Sequence, residues 1–293
     1  MLAVENPLLR GSIKLSDSYV SRNKSKACND LYISKSKVSS LKKKIGDKKW
    51  SKLTEPVLPK TELEICGKAY FKLKEIIQTC CLKQPQKSLH ICEAPGGFVQ
   101  ATLEAYPHIQ TWYACSLTGE NTIQFRENLL DMSKGEILDI EQNGNLLEPK
   151  VRESFSLKVD FVTADGACMN DEHSSWELTN YNILAAQCDT AMRCLNLGGN
   201  FVCKFFEGME TKTQILICVL TNCFEYVSVI KPKTSKITNS ERYIVCRGFE
   251  KYIDIINNIW ECSEMWLDDL QEVLDEYCVH QKNSLETIFT KYK

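Results

Sequence analysis

The stretch Leu89-His90-Ile91-Cys92-Glu93-Ala94-Pro95-Gly96-Gly97-Phe98 decides how the rest of the chain is read. Residues 89–92 have the composition of a short buried strand, and 98–105 open a helical pattern. Pro95-Gly96-Gly97 between them is a turn too tight for residues that carry a Cβ. A strand that ends in a glycine turn and feeds a helix is the first crossover unit of a doubly wound, Rossmann-like sheet. The turn lacks the third glycine of the dinucleotide fingerprint, so a pyrophosphate is not the expected guest. A Pro-Gly-Gly turn preceded by the carboxylate of Glu93 suits a smaller adenosyl ligand with a charged amino-acid tail.

Outward from that unit, strands and helices alternate. Upstream, Leu63, Cys66, Ala69-Tyr70, Leu73 and Ile76-Ile77 recur at helical spacing and predict an amphipathic helix over 62–81, with Lys68 and Lys72 on one face. Downstream, 111–116 and 136–140 read as the second and third strands, and 158–164 as a buried strand ending at Asp165-Gly166. A long helix follows over 178–197, closed by Gly198-Gly199. Residues 200–206 form a strand, 212–222 a helix, and 226–230 and 242–246 an antiparallel pair at one edge. Short connections between alternating elements predict an α/β fold whose mostly parallel, seven-stranded sheet is covered on both faces. This core spans 61–250. A basic, partly flexible arm precedes it over 1–60, and an acidic extension of two or three helices follows over 251–293.

The 293 residues carry a net charge of -2, distributed unevenly. Residues 1–60 hold 14 Lys/Arg against 5 Asp/Glu, and the remainder holds 22 against 33. A basic arm on an acidic body suits a polyanionic partner. No apolar run reaches the about 18 residues that span a membrane, and no secretory signal is visible. Most of the 15 cysteines, such as Cys92, Cys115, Cys203, Cys218 and Cys246, sit in apolar runs as buried free thiols do. Their number is odd, no CxxC pair occurs, and the histidines (His90, His108, His173, His280) do not form a cluster with them. Neither a metal site nor a disulfide framework is expected, and a reducing compartment is.

In an open α/β sheet the ligand lies beyond the carboxyl ends of the strands. Glu93, Ser116, Asp165 and the residues after Phe206 should meet there. Lys204 is the most telling of the candidates, because Phe201-Val202-Cys203 and Phe205-Phe206 around it call for burial, and a buried lysine needs a partner. Lys72 and Glu241 are ordinary in isolation and gain meaning only if folding brings them to Asp165 and Lys204.

These motifs resemble the FtsJ/RrmJ-like ribose 2′-O-methyltransferases, most closely the mRNA cap branch, over about residues 62–249. Cys92 to Phe98 is similar to the family's S-adenosylmethionine turn, Thr163-Ala164-Asp165-Gly166 to its second motif, and Gly198 to Lys204 to the strand bearing its catalytic lysine. Lys231-Pro232-Lys233-Thr234-Ser235-Lys236-Ile237-Thr238-Asn239-Ser240-Glu241 resembles the cap enzymes' last loop, and Ala69-Tyr70-Phe71-Lys72-Leu73 the helix supplying the first lysine. The resemblance implies a Lys72, Asp165, Lys204, Glu241 tetrad. It implies S-adenosylmethionine held by Glu93, Ala94, Pro95, Gly96, Gly97, Phe98, Ser116, Asn145 and Asp165, and RNA met by Lys68, Ser235, Lys236, Asn239 and Ser240.

A ribose hydroxyl is a poor nucleophile, so Lys204 would accept its proton or stabilise the developing alkoxide. The chain departs from many methyltransferases in ending its second strand with Cys115-Ser116-Leu117 rather than an acid, as the cap branch also tends to do. Gly144-Asn145-Leu146 replaces the Gly-Asp that meets adenine, and the asparagine keeps a carbonyl acceptor. The expected partner is RNA, the 5′ end of capped mRNA, with capping-machinery proteins also compatible and no membrane. The expected place is the nucleus or cytoplasm. First or second transcribed nucleotide, and mRNA or ribosomal or transfer RNA, stay open, as does an RNA-binding subunit that has lost catalysis.

Overall fold

A computed structural model describes residues 5–130, 134–168 and 176–292; His173 lies outside them. The chain begins with β1 (Asn6–Leu8), β2 (Ile13–Ser16), α1 (Lys26–Ser36), α2 (Val38–Ile45) and α3 (Asp47–Thr54). The crossover units follow: α4 (Ala69–Thr79), β3 (Lys87–Ile91), α5 (Gly97–Ala105), β4 (Thr111–Cys115), α6 (Glu127–Leu130), β5 (Gly135–Ile137), α7 (Pro149–Ser154) and β6 (Val159–Ala164). Then come α8 (Trp176–Cys194), β7 (Leu195–Phe206), α9 (Thr211–Leu220), β8 (Phe224–Ile230), β9 (Glu241–Phe249), β10 (Ile259–Cys262) and α10 (Glu264–Lys291).

The main sheet runs β1-β8-β9-β7-β6-β3-β4-β5. From β7 to β5 every pairing is parallel, while β9 is antiparallel to both β7 and β8. The parallel strands are apolar on both faces because helices cover both. Phe161 and Val202 pack under α4 and α5 with Tyr70, Leu73 and Phe98. Their neighbours Val162, Phe201 and Cys203 face the opposite cluster, with Ala185, Cys188 and Leu216. The alternation follows from the two-residue period of a strand.

Six expectations are corrected. The sheet has eight strands rather than seven, because β1 pairs antiparallel with β8. The β8–β9 hairpin therefore does not form the open edge. The helix predicted from residue 62 begins at Ala69: Cys66 N donates to Gln100 Oε1 and Gln100 Nε2 to Glu64 O, which hold 64–66 against α5 instead. The helix predicted to 197 ends at Cys194, since Leu195 already pairs with Val159 and Gly198-Gly199 fall inside β7. Beyond 251 there is one strand, paired with β2, and a single 28-residue helix. Cys218 is not a free thiol but is disulfide-bonded to Cys262, which joins α9 to β10.

The basic arm is also structured. Cys28 and Leu31 of α1 are buried in the same cluster as Leu274, Cys278 and Leu285 of α10, with Lys26 exposed and Lys35 half-buried against Glu207. The buried face of α1, Cys28, Leu31 and Ser34, carries little apolar contrast with the rest of the helix, so periodicity does not reveal it.

Candidate active site

Four charged side chains converge at the carboxyl edge of the sheet. Lys204 lies two residues before the end of β7, and Asp165 directly follows β6, the parallel neighbour of β7. Lys204 Nζ donates to the Asp165 carbonyl at 2.5 Å and lies 3.3 Å from Asp165 Oδ1. Tyr243, opposite Lys204 in the β7–β9 ladder, donates its hydroxyl to the same Oδ1 at 2.8 Å. Because β9 is antiparallel, its first residue, Glu241, lies where the parallel strands end. Lys72 reaches it from α4, with Nζ 2.8 Å from Oε1 and 3.0 Å from Oε2. Two ion pairs thus stand side by side.

Burial would raise the Glu241 carboxyl, but the charges of Lys72 and Lys204 prevail and hold it down at about 2. Burial would likewise lower the Lys72 ammonium, and the carboxylates of Glu241 and Asp165 raise it above the usual lysine value. Both members of that pair are therefore charged at neutral pH. Lys72 and Glu241 form a fixed electrostatic frame for the Lys204–Asp165 pair.

The loop between β8 and β9 is closed by side chains that the sequence reading did not single out. Lys231 Nζ donates to Asn239 O and Oδ1, both at 2.9 Å, and to Glu241 O at 2.8 Å. Burial brings the Lys231 ammonium down to about 7, against the pull of Glu241. Glu75, one turn after Lys72 on α4, accepts from Lys233 N, Thr234 N and Thr234 Oγ1 at 2.8–3.0 Å. Of these, only Glu75 offered a signal, its spacing of three from Lys72; Lys231 stood inside a quoted motif, and Tyr243 inside the strand expected over 242–246, with no role attached.

The expected RNA residues fall into three settings. Ser235 is buried, and its hydroxyl donates to Glu241 Oε1 at 2.8 Å, so it orients the tetrad carboxylate. Lys236, Asn239 and Ser240 line a cavity of about 400 Å³ that also touches Lys204 and Glu241. Its other walls include Trp50 of α3, Trp176 of α8, Phe206 of β7, and Lys35 and Lys42 of α1 and α2. Lys68 is exposed, one turn ahead of Lys72, and ion-paired with Glu55.

On the other side of the tetrad, the glycine turn fits the group expected there. Gly96 is left-handed at φ 115°, and a Cβ on Gly97 would lie 2.9 Å from Tyr70 N, so the turn can only be made of glycine. Ser116 Oγ accepts from Ala94 N at 3.3 Å, which joins the ends of β3 and β4. A Cβ on Gly144 would meet Ser116 O at 2.7 Å, so the segment carrying Asn145 closes on the same edge. Glu93 is buried, and its Oε1 accepts from Phe98 N and Val99 N at 2.7 and 3.0 Å, capping α5. Burial outweighs those two bonds and raises its carboxyl to about 8. Phe98 is fully buried beneath the turn, so it supports the turn from the core. Glycine-lined backbone, a hydroxyl, an amide and the Asp165 carboxylate are a donor set suited to an adenosyl amino acid. Among the described residues no cluster of three or more metal-ligating side chains is found.

The sheet order, the antiparallel β9 between β7 and β8, and the glycine turn after β3 define a Rossmann-like methyltransferase fold. Residues 66–249 match the family model for FtsJ-like methyltransferases, and the chain belongs to that family. It is 31% identical over 218 residues to the cap-specific mRNA (nucleoside-2′-O-)-methyltransferase 2 of Danio rerio, covering 65% of this chain and 29% of that protein. The Drosophila melanogaster counterpart is 32% identical over 219 residues, covering 65% and 31%. The cap-specific mRNA (nucleoside-2′-O-)-methyltransferase of Autographa californica nuclear polyhedrosis virus is 26% identical over 215 residues, covering 70% of this chain and 71% of the viral one. The chain therefore spans about three tenths of the length of the two animal proteins.

Proposed function

We propose that the chain transfers a methyl group from S-adenosylmethionine to a ribose 2′-hydroxyl at the capped 5′ end of mRNA, on the first or second transcribed nucleotide. The observation that carries this reading is the meeting of the Lys72–Glu241 and Lys204–Asp165 pairs at the mouth of a cavity with aromatic and basic walls. S-adenosylmethionine, when bound, supplies an electrophilic methyl carbon; Glu93 to Phe98, Ser116, Asn145 and Asp165 would hold it. Lys204 Nζ takes up charge from the ribose oxygen, either as proton acceptor or as cationic donor. Asp165 fixes the direction of that amine through two contacts, and Tyr243 fixes Asp165. Lys72, charged and held by Glu241, adds positive potential where the hydroxyl loses its proton. Trp50, Trp176 and Phe206 offer π-faces for bases, and Lys35, Lys42 and Lys236 offer charge for phosphates. The names of the relatives support mRNA as the substrate, and the buried thiols suit the nucleus or cytoplasm, where capping-machinery proteins would be the partners. Among the described residues no helix is long and apolar enough to cross a membrane.

The test is methyl transfer from labelled S-adenosylmethionine to RNA with an N7-methylated cap, an unmethylated cap, or no cap. Transfer to capped RNA alone, blocked by prior 2′-O-methylation of one nucleotide, is the expected result. Lys204→Ala should lower kcat by about 10² to 10⁴ while cofactor binding persists. Equal transfer to uncapped RNA would move the substrate to structured RNA, and cofactor binding without turnover in the wild type would make the chain a non-catalytic subunit.

A further inference from the structure

The buried face of α10 carries Leu267, Leu270, Leu274, Cys278, Gln281 and Leu285, a stripe at three- and four-residue spacing with one polar member. A glutamine in that position costs stability unless its amide is satisfied. Gln281 is 2% exposed and spends its whole amide on the catalytic loop. Its Nε2 donates to Thr238 O at 2.8 Å and lies 3.3 Å from Ser240 Oγ, while Ser240 Oγ lies 3.3 Å from its Oε1. Lys35 Nζ of α1 donates to the same Ser240 Oγ at 3.1 Å and is ion-paired with Glu207.

Ser240 and Arg242 flank Glu241. Side chains alternate along a strand, so both turn toward α1 and α10 while Glu241 turns toward α4. The contacts agree: Arg242 is buried, donates to Glu207 O and stands 4.8 Å from the centre of the Tyr277 ring of α10. Lys35, Tyr277 and Gln281 all lie outside the segment matched by the family model.

We infer that Gln281, assisted by Lys35, is a positioning residue for Glu241: the terminal helices grip the residues before and after it and thereby hold its carboxylate on Lys72. The inference rests on the proposed role of Glu241 in methyl transfer. It gives Gln281, which does not line the cavity, a part in the reaction without contact with either substrate.

The test compares wild type with Gln281→Leu, which removes the amide at similar volume, and with Leu285→Ala, one turn further along the same buried stripe. Tm, cofactor affinity, kcat and KM for capped RNA are measured, with amide hydrogen exchange of the 236–243 segment. Gln281→Leu should lower kcat about tenfold or more and speed exchange in that segment, with cofactor affinity within about twofold. Leu285→Ala should lower Tm at least as far and leave kcat and local exchange unchanged. If Gln281→Leu does not fold, Gln281→Met is read in its place. A kcat and exchange rate within twofold of wild type in the glutamine variant would overturn the inference, as would loss of kcat in both variants in proportion to Tm. If wild type methylates no RNA, the functional reading fails instead, and local exchange alone decides whether α10 holds the loop.

Discussion

Glu93 and Glu241 show how one residue type acquires opposite behaviour at one edge of the same sheet. Glu241 is buried between two lysines and is held down at about 2. The stability it contributes is present above the ordinary carboxylate value and is lost only as pH falls through about 2. Glu93 is buried without a cation and is raised to about 8. A raised carboxyl contributes stability that is full below its unfolded value of about 4.5 and is lost as pH rises toward 8. Glu93→Gln keeps an acceptor oxygen for Phe98 and Val99 but cannot ionise. Between pH 5 and 8, the Tm of the wild type should therefore fall by several degrees relative to the variant. A constant difference over that range would mean the Glu93 carboxyl is ionised in the fold and that its two amide bonds outweigh burial.

At the scale of elements, α4 and the β8–β9 loop form one unit. Lys72 and Glu75 lie on the same face of α4, and the loop is fastened to both, through Glu241 and through residues 233–234. The glycine turn sets the height of that helix, because Gly97 touches the backbone at its start: an added Cβ would lie 2.9 Å from Tyr70 N and 3.3 Å from Gly67 O. Gly97→Ala should push α4 off α5 at a cost of about 1–3 kcal/mol, seen by denaturant unfolding. It should also lower kcat by moving Lys72, whereas a pure cofactor defect would leave single-turnover rates at saturating cofactor unchanged. An unaltered kcat at saturation would separate α4 from the tetrad's geometry.

For the whole molecule, the uneven charge becomes a surface. The arm's helices α1 to α3 stand beside the cavity, with Lys35 and Lys42 in its wall and Lys43, Lys44 and Lys48 exposed nearby in sequence. RNA affinity should fall steeply with salt, as counterions released by phosphate contacts are counted. Replacing Lys42, Lys43 and Lys44 by alanine should weaken binding across RNA sequences and reduce the slope of log affinity against log salt by up to about 3 units, measured by fluorescence anisotropy. An unchanged slope would remove α2 from the RNA surface. The position of these lysines depends on contacts near the two ends of the chain, Cys28 and Leu31 against Leu274 and Cys278, which no local pattern predicts.

The parallel core and its crossover units were legible because they rest on local signals: strand 159–164 is built on the apolar Val159, Phe161 and Val162, and the turn after β3 can be made only of glycine. Lys204 was legible for the same reason, as a charge where its neighbours are buried. Asp165 was legible as the carboxylate that ends a buried strand, but Lys72 and Glu241 were joined to it only through a resemblance, since their meeting spans up to 169 positions and depends on β9 running antiparallel, a fact of sheet order rather than of composition. Tertiary structure alone determined the ends of α4 and α8, where Gln100 and Val159 capture segments that helical spacing would have extended. It alone bonded Cys218 to Cys262, and it alone turned the polar-looking terminal segments into helices from which half-buried Lys35 and buried Gln281 reach Ser240. Burial is a property of what packs opposite a residue, and for these residues the opposing surface comes from the far end of the chain.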